Sequence, residues 1–405
     1  MSAPNRRAVL AQASSLLALA AAPALAAPQS GPDFPFPGGQ GARPLAHDFP
    51  QKGTMVLQRS RPPLLETPFT DFDSGVFTPN EKFFVRWHWS VIPSEIDPAS
   101  FRLRLRGQVE REMSLSLSDL SQFERVEIAA VNQCSGNSRG FFEPRVPGAQ
   151  WGNGGMGNAR WSGVRLRDVL DKAGVKSGAV AARFSGLDEP AVSDGPPFKK
   201  SLAIDRARQP EVIIAYAMNG KPLPLLNGYP IRLVVPGWYS TYWIKMLSDI
   251  ELLDAPDDNY WMKTAYLIPD TERANMKPGQ AGVAMVPINR MLPRSFITNL
   301  GAGARLKAHA TAKLRGLAMG GDCGVAKVEV SSDGGQSWRD ARLGKDEGPY
   351  SFRQWTAQIP AGAPGAAVLA VRCTNTKGEV QPDTPNWNPS GFMRNVIERL
   401  SVTVA

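Results

Sequence analysis

Apolar and polar residues alternate strictly from Phe101 to Arg106 (FRLRLR), the period of a strand with one face covered and one face in water. Ile128-Ala129-Ala130-Val131 is a continuous apolar run that breaks into Asn, Gln, Ser and Gly, the pattern of a buried strand running into a loop. Val164, Leu166, Val169, Leu170 and Ala173 fall instead on one helical face, and Gly174 follows as a C-terminal stop. Strands and short helices therefore mix through the first two-thirds of the chain, an α+β signature. Later the pattern changes. Val325–Ser332, Trp338–Leu343 and Val368–Thr374 read as short strands, with a turn at Asp333-Gly334-Gly335, and suggest a β-sandwich. A Pro-, Gly- and polar-rich stretch over 267–290 reads as the junction between the two parts. Residues 27–66, rich in Pro, Gly and charge without clear periodicity, read as an arm lying on the surface.

The first 26 residues form a separate unit. Arg6 and Arg7 precede a mildly apolar run from Ala8 to Leu19, interrupted by Gln12, Ser14 and Ser15, and Ala24-Leu25-Ala26 is a small-residue cleavage pattern. The run is shorter than the roughly 20 apolar residues that a spanning helix needs. A cleaved twin-arginine signal over 1–26 is expected rather than a retained anchor, with export of the folded protein to the periplasm and no membrane span afterwards.

Composition narrows the classes. The chain has 405 residues, 42% hydrophobic and 20% charged, enough for two packed domains and too apolar for a disordered protein. Three His and three Cys disfavour a multi-metal His/Cys enzyme and a disulfide-stapled scaffold. The formal net charge of +9 can steer anions, but Lys and Arg are scattered, with no basic block and no zinc-finger spacing. Nucleic acid is not expected as a partner.

Three segments could carry chemistry. Cys134 stands where the buried strand breaks, with Arg139 and Arg145 close by in sequence; it is either an inert buried thiol or a thiolate, which would select a thiophilic metal. Strand alternation puts Arg86 and His88 (VRWHW) on one face, as an oxyanion pocket or as a solvent-facing edge. Arg232 interrupts an apolar strand and needs an anionic partner, either a protein carboxylate or a bound phosphate. Lys245 follows a Gly-Trp-Tyr-Ser-Thr turn that could offer backbone N–H groups to the same phosphate. Cys323 and Cys373 lie in the expected sandwich, where a disulfide between them stays open but a structural role is favoured. Gly152–Gly157 satisfies G-x-G-x-x-G, yet no apolar strand precedes it and no helix opens within it, so a dinucleotide is rejected. There is no G-x-S-x-G elbow to support a serine hydrolase.

The strings TPNEKFFVRWHW, AVNQCSGNSRGFFEPR, GNARWSGV, NGYPIRLVVPGW, WMKTAYLIP and WNPSGFMRN, in this order from about Leu65 to the C-terminus, resemble the sulfite oxidase family of molybdopterin enzymes, and within it the bacterial periplasmic sulfite dehydrogenases. The resemblance implies an α+β fold with a mixed α/β molybdopterin-binding catalytic domain over 27–274 and an immunoglobulin-like β-sandwich dimerisation domain over 275–405. It implies that Cys134 is the thiolate on molybdenum and that the pterin dithiolene supplies the other sulfurs. Arg86, His88 and Arg139 would line the anion pocket, Tyr266 would be the active-site tyrosine and Trp151 an aromatic pocket residue. Phe84, Asp188, Asn227, Arg232, Trp243 and Lys245, with Arg86 and His88, would hold molybdopterin and its phosphate. Sulfite would be oxidised to sulfate, and electrons would leave singly. With no C-x-x-C-H motif and no haem domain ahead of residue 65, no haem is expected on this chain, so the acceptor would be a separate c-type cytochrome. A homodimer is expected.

Two departures are visible. Vertebrate members carry His where this chain has Asn227, and they draw a further pocket arginine from the region that here reads Trp387-Asn388-Pro389-Ser390-Gly391. Anion binding should then rely more on Arg86, His88 and Arg139. Two alternatives remain: a sulfane dehydrogenase or sulfoxide reductase on the same fold, which would keep Cys134, and a cofactor-free exported binding protein, which would leave Cys134, the arginines and Tyr266 without a role.

Overall fold

A computed structural model describes residues 30–405. The expected signal over 1–26 lies outside the described residues. The stretch read as an arm is instead a sheet. Strands β1 (Ser30–Asp33), β2 (Ala42–Ala46), β3 (Met55–Arg59), β4 (Leu64–Glu66) and β5 (Val85–Arg86) pair in that order, each antiparallel to the next. These strands have two to five residues, too few for a period to show in sequence, and their partners fix them instead. Met55, Val56, Leu64 and Leu65 are buried, and β4 places its edge against Arg86. The strand carrying Arg86 ends there, so His88 lies just beyond it rather than in the alternating register expected for the pair.

The next ten strands build the centre of the molecule. They are β6 (Leu103–Gly107), β7 (Met113–Leu115), β8 (Arg125–Gln133), β9 (Met156–Arg165), β10 (Ala181–Ser185), β11 (Lys199–Ala203), β12 (Ile213–Met218), β13 (Lys221–Pro222), β14 (Arg232–Val234) and β15 (Asp249–Leu253). One sheet runs β11-β10-β15-β6-β7, with β15 and β6 parallel; the other runs β13-β12-β9-β8, with β14 also on β12. The alternation seen at Phe101–Arg106 appears in β6, where Leu103 and Leu105 are fully buried and Arg104 is exposed. Burial of each leucine contributes about 1.5–3 kcal/mol. The helical face settles as Leu166–Ala173, with Leu166, Val169, Leu170 and Ala173 buried; Gly174 ends it at φ +74°, a conformation that side chains disfavour. Val164, expected on the helix, belongs to β9.

After the hairpin β16 (Leu267–Pro269) and β17 (Met285–Pro287), the chain forms two facing sheets. Their strands are β18 (Arg294–Ile297), β19 (Arg305–Leu306), β20 (Thr311–Met319), β21 (Val325–Ser331), β22 (Arg339–Asp340), β23 (Arg342–Leu343), β24 (Arg353–Pro360), β25 (Gly365–Asn375) and β26 (Glu398–Val404). The orders are β18-β20-β24-β23 and β19-β26-β25-β21-β22. Leu314, Val328, Trp355, Leu369, Val371 and Cys373 fill the space between them, a sandwich as expected. Cys323 and Cys373 are both free, and burial pushes the Cys373 thiol up, so it stays an apolar core group.

The sandwich also touches the centre directly. The Val131 amide donates to the Tyr350 carbonyl at 2.8 Å, which covers the open edge of β8. Buried Arg294 donates to Ser138 Oγ at 3.0 Å and to Glu398 at 2.6 Å, tying β18 to the loop after β8.

Candidate active site

Cys134 follows the last residue of β8, where the strand hands over to a tight loop. Its amide donates to the Gly155 carbonyl at 2.8 Å, and its carbonyl accepts from the Asn137 amide at 3.0 Å. Asn137 Oδ1 in turn accepts from the Gly155 amide at 2.8 Å, so this loop and the start of β9 hold each other. The guanidinium of Arg139 folds over Gly136, where a Cβ would lie 2.5 Å from Cζ, so a larger residue there would push the guanidinium aside. The loop thus sets a sulfur and an arginine at one place.

Two cavities meet there, sharing Arg86, Cys134 and Tyr266. The first is lined among others by Phe84, His88, Asn227, Arg232, Trp243 and Lys245. Arg86, Arg232 and Lys245 bring positive charge, and none has a carboxylate oxygen within 4.0 Å among the described residues. That removes the protein salt bridge left open for Arg232. Burial pulls Arg232 down to about 9, and burial with Arg232 alongside pulls Lys245 down to about 7. Several buried polar atoms on its walls have no partner: Arg86 Nη1, Asn132 Oδ1, Ser135 Oγ, Arg232 Nε and Thr241 Oγ1. Unpaired buried donors and acceptors are costly, and so many in one cavity describe a receptor for a polar anion.

The second cavity, of about 460 Å³, is lined by Arg59, Arg86, Arg139, Trp151, Tyr266 and Phe392, with Gln58, Leu64, Ala149 and others at its sides. Arg139 is buried and spends Nε on the Ser390 carbonyl and Nη1 on the Ala149 carbonyl, both at 3.1 Å. Phe392 stacks on Tyr266 with ring centres 5.4 Å apart, and Arg139 sits over the other ring at 5.1 Å.

Tyr266 connects the two spaces. Its hydroxyl lies 2.6 Å from His88 Nε2, and its backbone is held at φ +59°, a strained value for a tyrosine, with its carbonyl accepting from the Ile288 amide. Burial raises the Tyr266 pKa, so the phenol keeps its proton. Burial, then Arg86, Lys245 and Lys200, hold His88 well below 6.5, so the imidazole is neutral near pH 7. A neutral imidazole has one N–H and one lone pair, so the hydroxyl can donate to His88 or turn its proton toward the shared space.

The structure therefore brings Arg86, His88, Cys134, Arg139, Trp151 and Tyr266 to one junction, and Phe84, Asn227, Arg232, Trp243 and Lys245 to the first cavity. His88 lines the first cavity, one of the two places expected of it, and reaches the second only through Tyr266. Asp188 lines neither; it is buried, its pKa is raised by that burial, and it supports the charge on Lys245. Arg59, Lys52, Phe198, Lys200 and Phe392 were not singled out from sequence. Arg59 and Lys52 lay in the supposed arm, and Phe198 and Lys200 in an unremarkable PPFKKS run. Phe198 stacks on His88 at 3.4 Å between ring centres, and Lys200 sits over Tyr266 at 5.5 Å.

Residues 89–261 match the family model for the oxidoreductase molybdopterin binding domain, and residues 286–405 match that for the Mo-co oxidoreductase dimerisation domain. Mitochondrial sulfite oxidase of Macaca fascicularis is 33% identical over 382 residues, which cover 89% of this chain and 68% of that one. The chain belongs to the sulfite oxidase family. Nitrate reductase (NADH) of Hordeum vulgare is 30% identical over 355 residues, 82% of this chain and 39% of that one. The crystal structure of the sulfane dehydrogenase SoxCD from Paracoccus pantotrophus shares the fold, with a TM-score of 0.69 at 24% identity over 85% of this chain and 87% of that chain.

Membership in the sulfite oxidase family implies a molybdenum cofactor, and the residues here fit one. No group of three His, Cys, Asp or Glu among the described residues could hold a metal ion. A metal beside Cys134 would take its remaining ligands from a cofactor, and the first cavity offers the unpaired donors, acceptors and cations that a pterin phosphate would occupy. The rejected glycine run has a different use: Gly152 and Gly154 amides donate to buried Glu66 at 3.1 and 2.8 Å, and β9 rather than a helix follows. The Trp387–Gly391 segment contributes the Ser390 carbonyl to Arg139, and Phe392 just after it stacks on Tyr266.

Proposed function

We propose that this molybdenum enzyme oxidises sulfite to sulfate in the periplasm and passes electrons one at a time to a separate c-type cytochrome. The twin-arginine pattern at Arg6 and Arg7 supports export, and the dimerisation domain supports a homodimer. When bound, the cofactor supplies two-electron oxygen-atom chemistry that no side chain here can supply. Cys134 gives the metal its protein thiolate. Arg232, Lys245, Asn227, Trp243 and Phe84 hold the pterin and its phosphate, and Asp188 steadies Lys245. In the second cavity Arg86 and Arg139 neutralise and orient the sulfite anion, with Trp151 as an apolar wall that excludes water. Tyr266 would hold a proton at its hydroxyl where the two cavities meet, with neutral His88 as its partner.

One observation carries this reading: an arginine-lined cavity and a cation-rich polar cavity meet at Cys134 and Tyr266. The test is sulfite-dependent reduction of ferricytochrome c by protein shown to contain molybdenum. Rapid reduction supports both substrate and acceptor class. Activity with ferricyanide alone keeps sulfite and rejects the cytochrome; silence with both rejects sulfite. A second reading, oxidation of a sulfane sulfur carried on a protein arm, gains support from the second cavity, whose roughly 460 Å³ exceeds the needs of a four-atom anion. It predicts turnover with a persulfide-bearing peptide and none with free sulfite. Turnover of sulfoxide or nitrate, or protein without molybdenum, would sink both.

Tyr266→Phe removes the hydroxyl and keeps the ring stacked on Phe392. It should retain molybdenum and lose about 1.5–3 kcal/mol of transition-state stabilisation, roughly tenfold to a hundredfold in kcat/KM for sulfite. Unchanged steady-state kinetics would take Tyr266 out of the proton path.

A further inference from the structure

Lys52 lies between β2 and β3, in the sheet that sequence patterning left unassigned, and only 8% of it is exposed. Its ammonium donates to three oxygens: the Asn80 carbonyl at 2.7 Å, the Phe83 carbonyl at 2.8 Å and Asn227 Oδ1 at 2.5 Å. Three N–H bonds meet three acceptors, and no carboxylate oxygen lies within 4.0 Å of it among the described residues. Burying a charge this way is expensive, and burial pulls the pKa of Lys52 down to about 7. Two of the three acceptor residues, Phe83 and Asn227, belong to the wall of the first cavity. Asn227 also donates from Nδ2 to the Phe84 carbonyl at 3.1 Å, and its own carbonyl accepts from Arg232 Nη1 at 2.9 Å. A chain of bonds thus runs from Lys52 through Asn227 to Arg232, whose Nε is one of the unpaired atoms on that wall.

We propose that Lys52 is a positioning residue for the cofactor: through Asn227 and the Phe83 carbonyl it holds the wall of the first cavity in the shape that receives the pterin and its phosphate. The inference rests on the first cavity's being the cofactor site, and it makes no use of the substrate. Lys52 touches neither cavity, so its effect is on retention of the cofactor. The outer support of that wall therefore comes from the N-terminal sheet.

The test compares Lys52→Met with Lys82→Met in the full-length protein. Lys82 ties the same sheet to its surroundings, through the Thr54 carbonyl at 3.1 Å and Asp71 at 3.2 Å, without reaching Asn227. Molybdenum per chain is measured by elemental analysis and pterin by fluorescence after oxidative release, before and during exposure to mild urea. Lys52→Met should lose cofactor about tenfold to a hundredfold faster than the unaltered protein, the usual cost of removing a residue that orients a metal or cofactor ligand. Lys82→Met should lose it at the unaltered rate. Lys52→Met combined with Asn227→Ala should lose it no faster than the more affected single variant, because both break one chain of bonds. Lys52→Gln, which keeps two donors, takes the place of Lys52→Met if that variant does not fold, and should show the same order. Equal retention in Lys52→Met and the unaltered protein, equal loss in the two lysine variants, or additive losses in the double variant would each overturn the proposal. Unaltered protein that holds no molybdenum would overturn the cofactor reading as well. A protein that holds molybdenum but leaves sulfite unoxidised would overturn only the substrate reading, and retention would still decide the role of Lys52.

Discussion

Cys134→Ser is expected to reduce sulfite turnover at least about a thousandfold, some 4 kcal/mol in the barrier. A serine is nearly isosteric, so the loop held by Gly155 and Asn137 should keep its bonds, and the Arg139 guanidinium should stay over Gly136. What changes is the donor atom. A thiol gives up its proton far more readily than a hydroxyl and its thiolate is soft, whereas a hydroxyl is hard and keeps its proton near neutral pH, so serine is a poor replacement on a thiophilic metal. Pterin content should fall less than activity if, as proposed, Arg232, Lys245 and Asn227 hold the other part of the cofactor. Assay of turnover, molybdenum and pterin in one preparation checks this. A near-normal rate would remove Cys134 from the metal.

Arg86→Met should raise the sulfite KM by roughly thirtyfold or more, since loss of one partner of a desolvated charge contact costs about 2–5 kcal/mol. Arg86 lines both cavities and keeps Nη1 without a protein partner. Methionine fills much of the stem's volume, so the loss is chiefly one of charge and donors. Arg139 cannot take over its part, because Nε and Nη1 already serve the Ser390 and Ala149 carbonyls. The effect should appear in KM more than in kcat if Arg86 binds the anion alike before and during reaction. A KM that barely moves would refute the anion-binding role.

Local pattern carried much of the architecture. Alternation at Leu103 and Leu105 marked a strand because the period of a half-buried strand is written in consecutive residues. The same holds for the helix ending at Gly174 and for the long sandwich strands β21 and β25. Arg232 was conspicuous as a charge where the pattern demands an apolar residue, and Cys134 because it stands where an apolar strand breaks into a loop. The strings around them carried the family.

What stayed hidden was set by contacts between residues far apart. The sheet β1–β5 has strands of two to five residues whose partners alone define them, so its patterning looked like that of an arm. Lys52 and Arg59 gained their surroundings from that sheet, and Phe392 came to Tyr266 from the far end of the chain. Likewise, only packing decided that His88 reaches the second cavity through Tyr266, and that Asp188 serves Lys245 without lining either space. Local periods declared the fold class, and the ordered strings declared the family, because both depend on neighbours in the chain. Which cations were left without carboxylates, and hence where an anion fits, depended on burial and distance in three dimensions, which only the folded chain supplies.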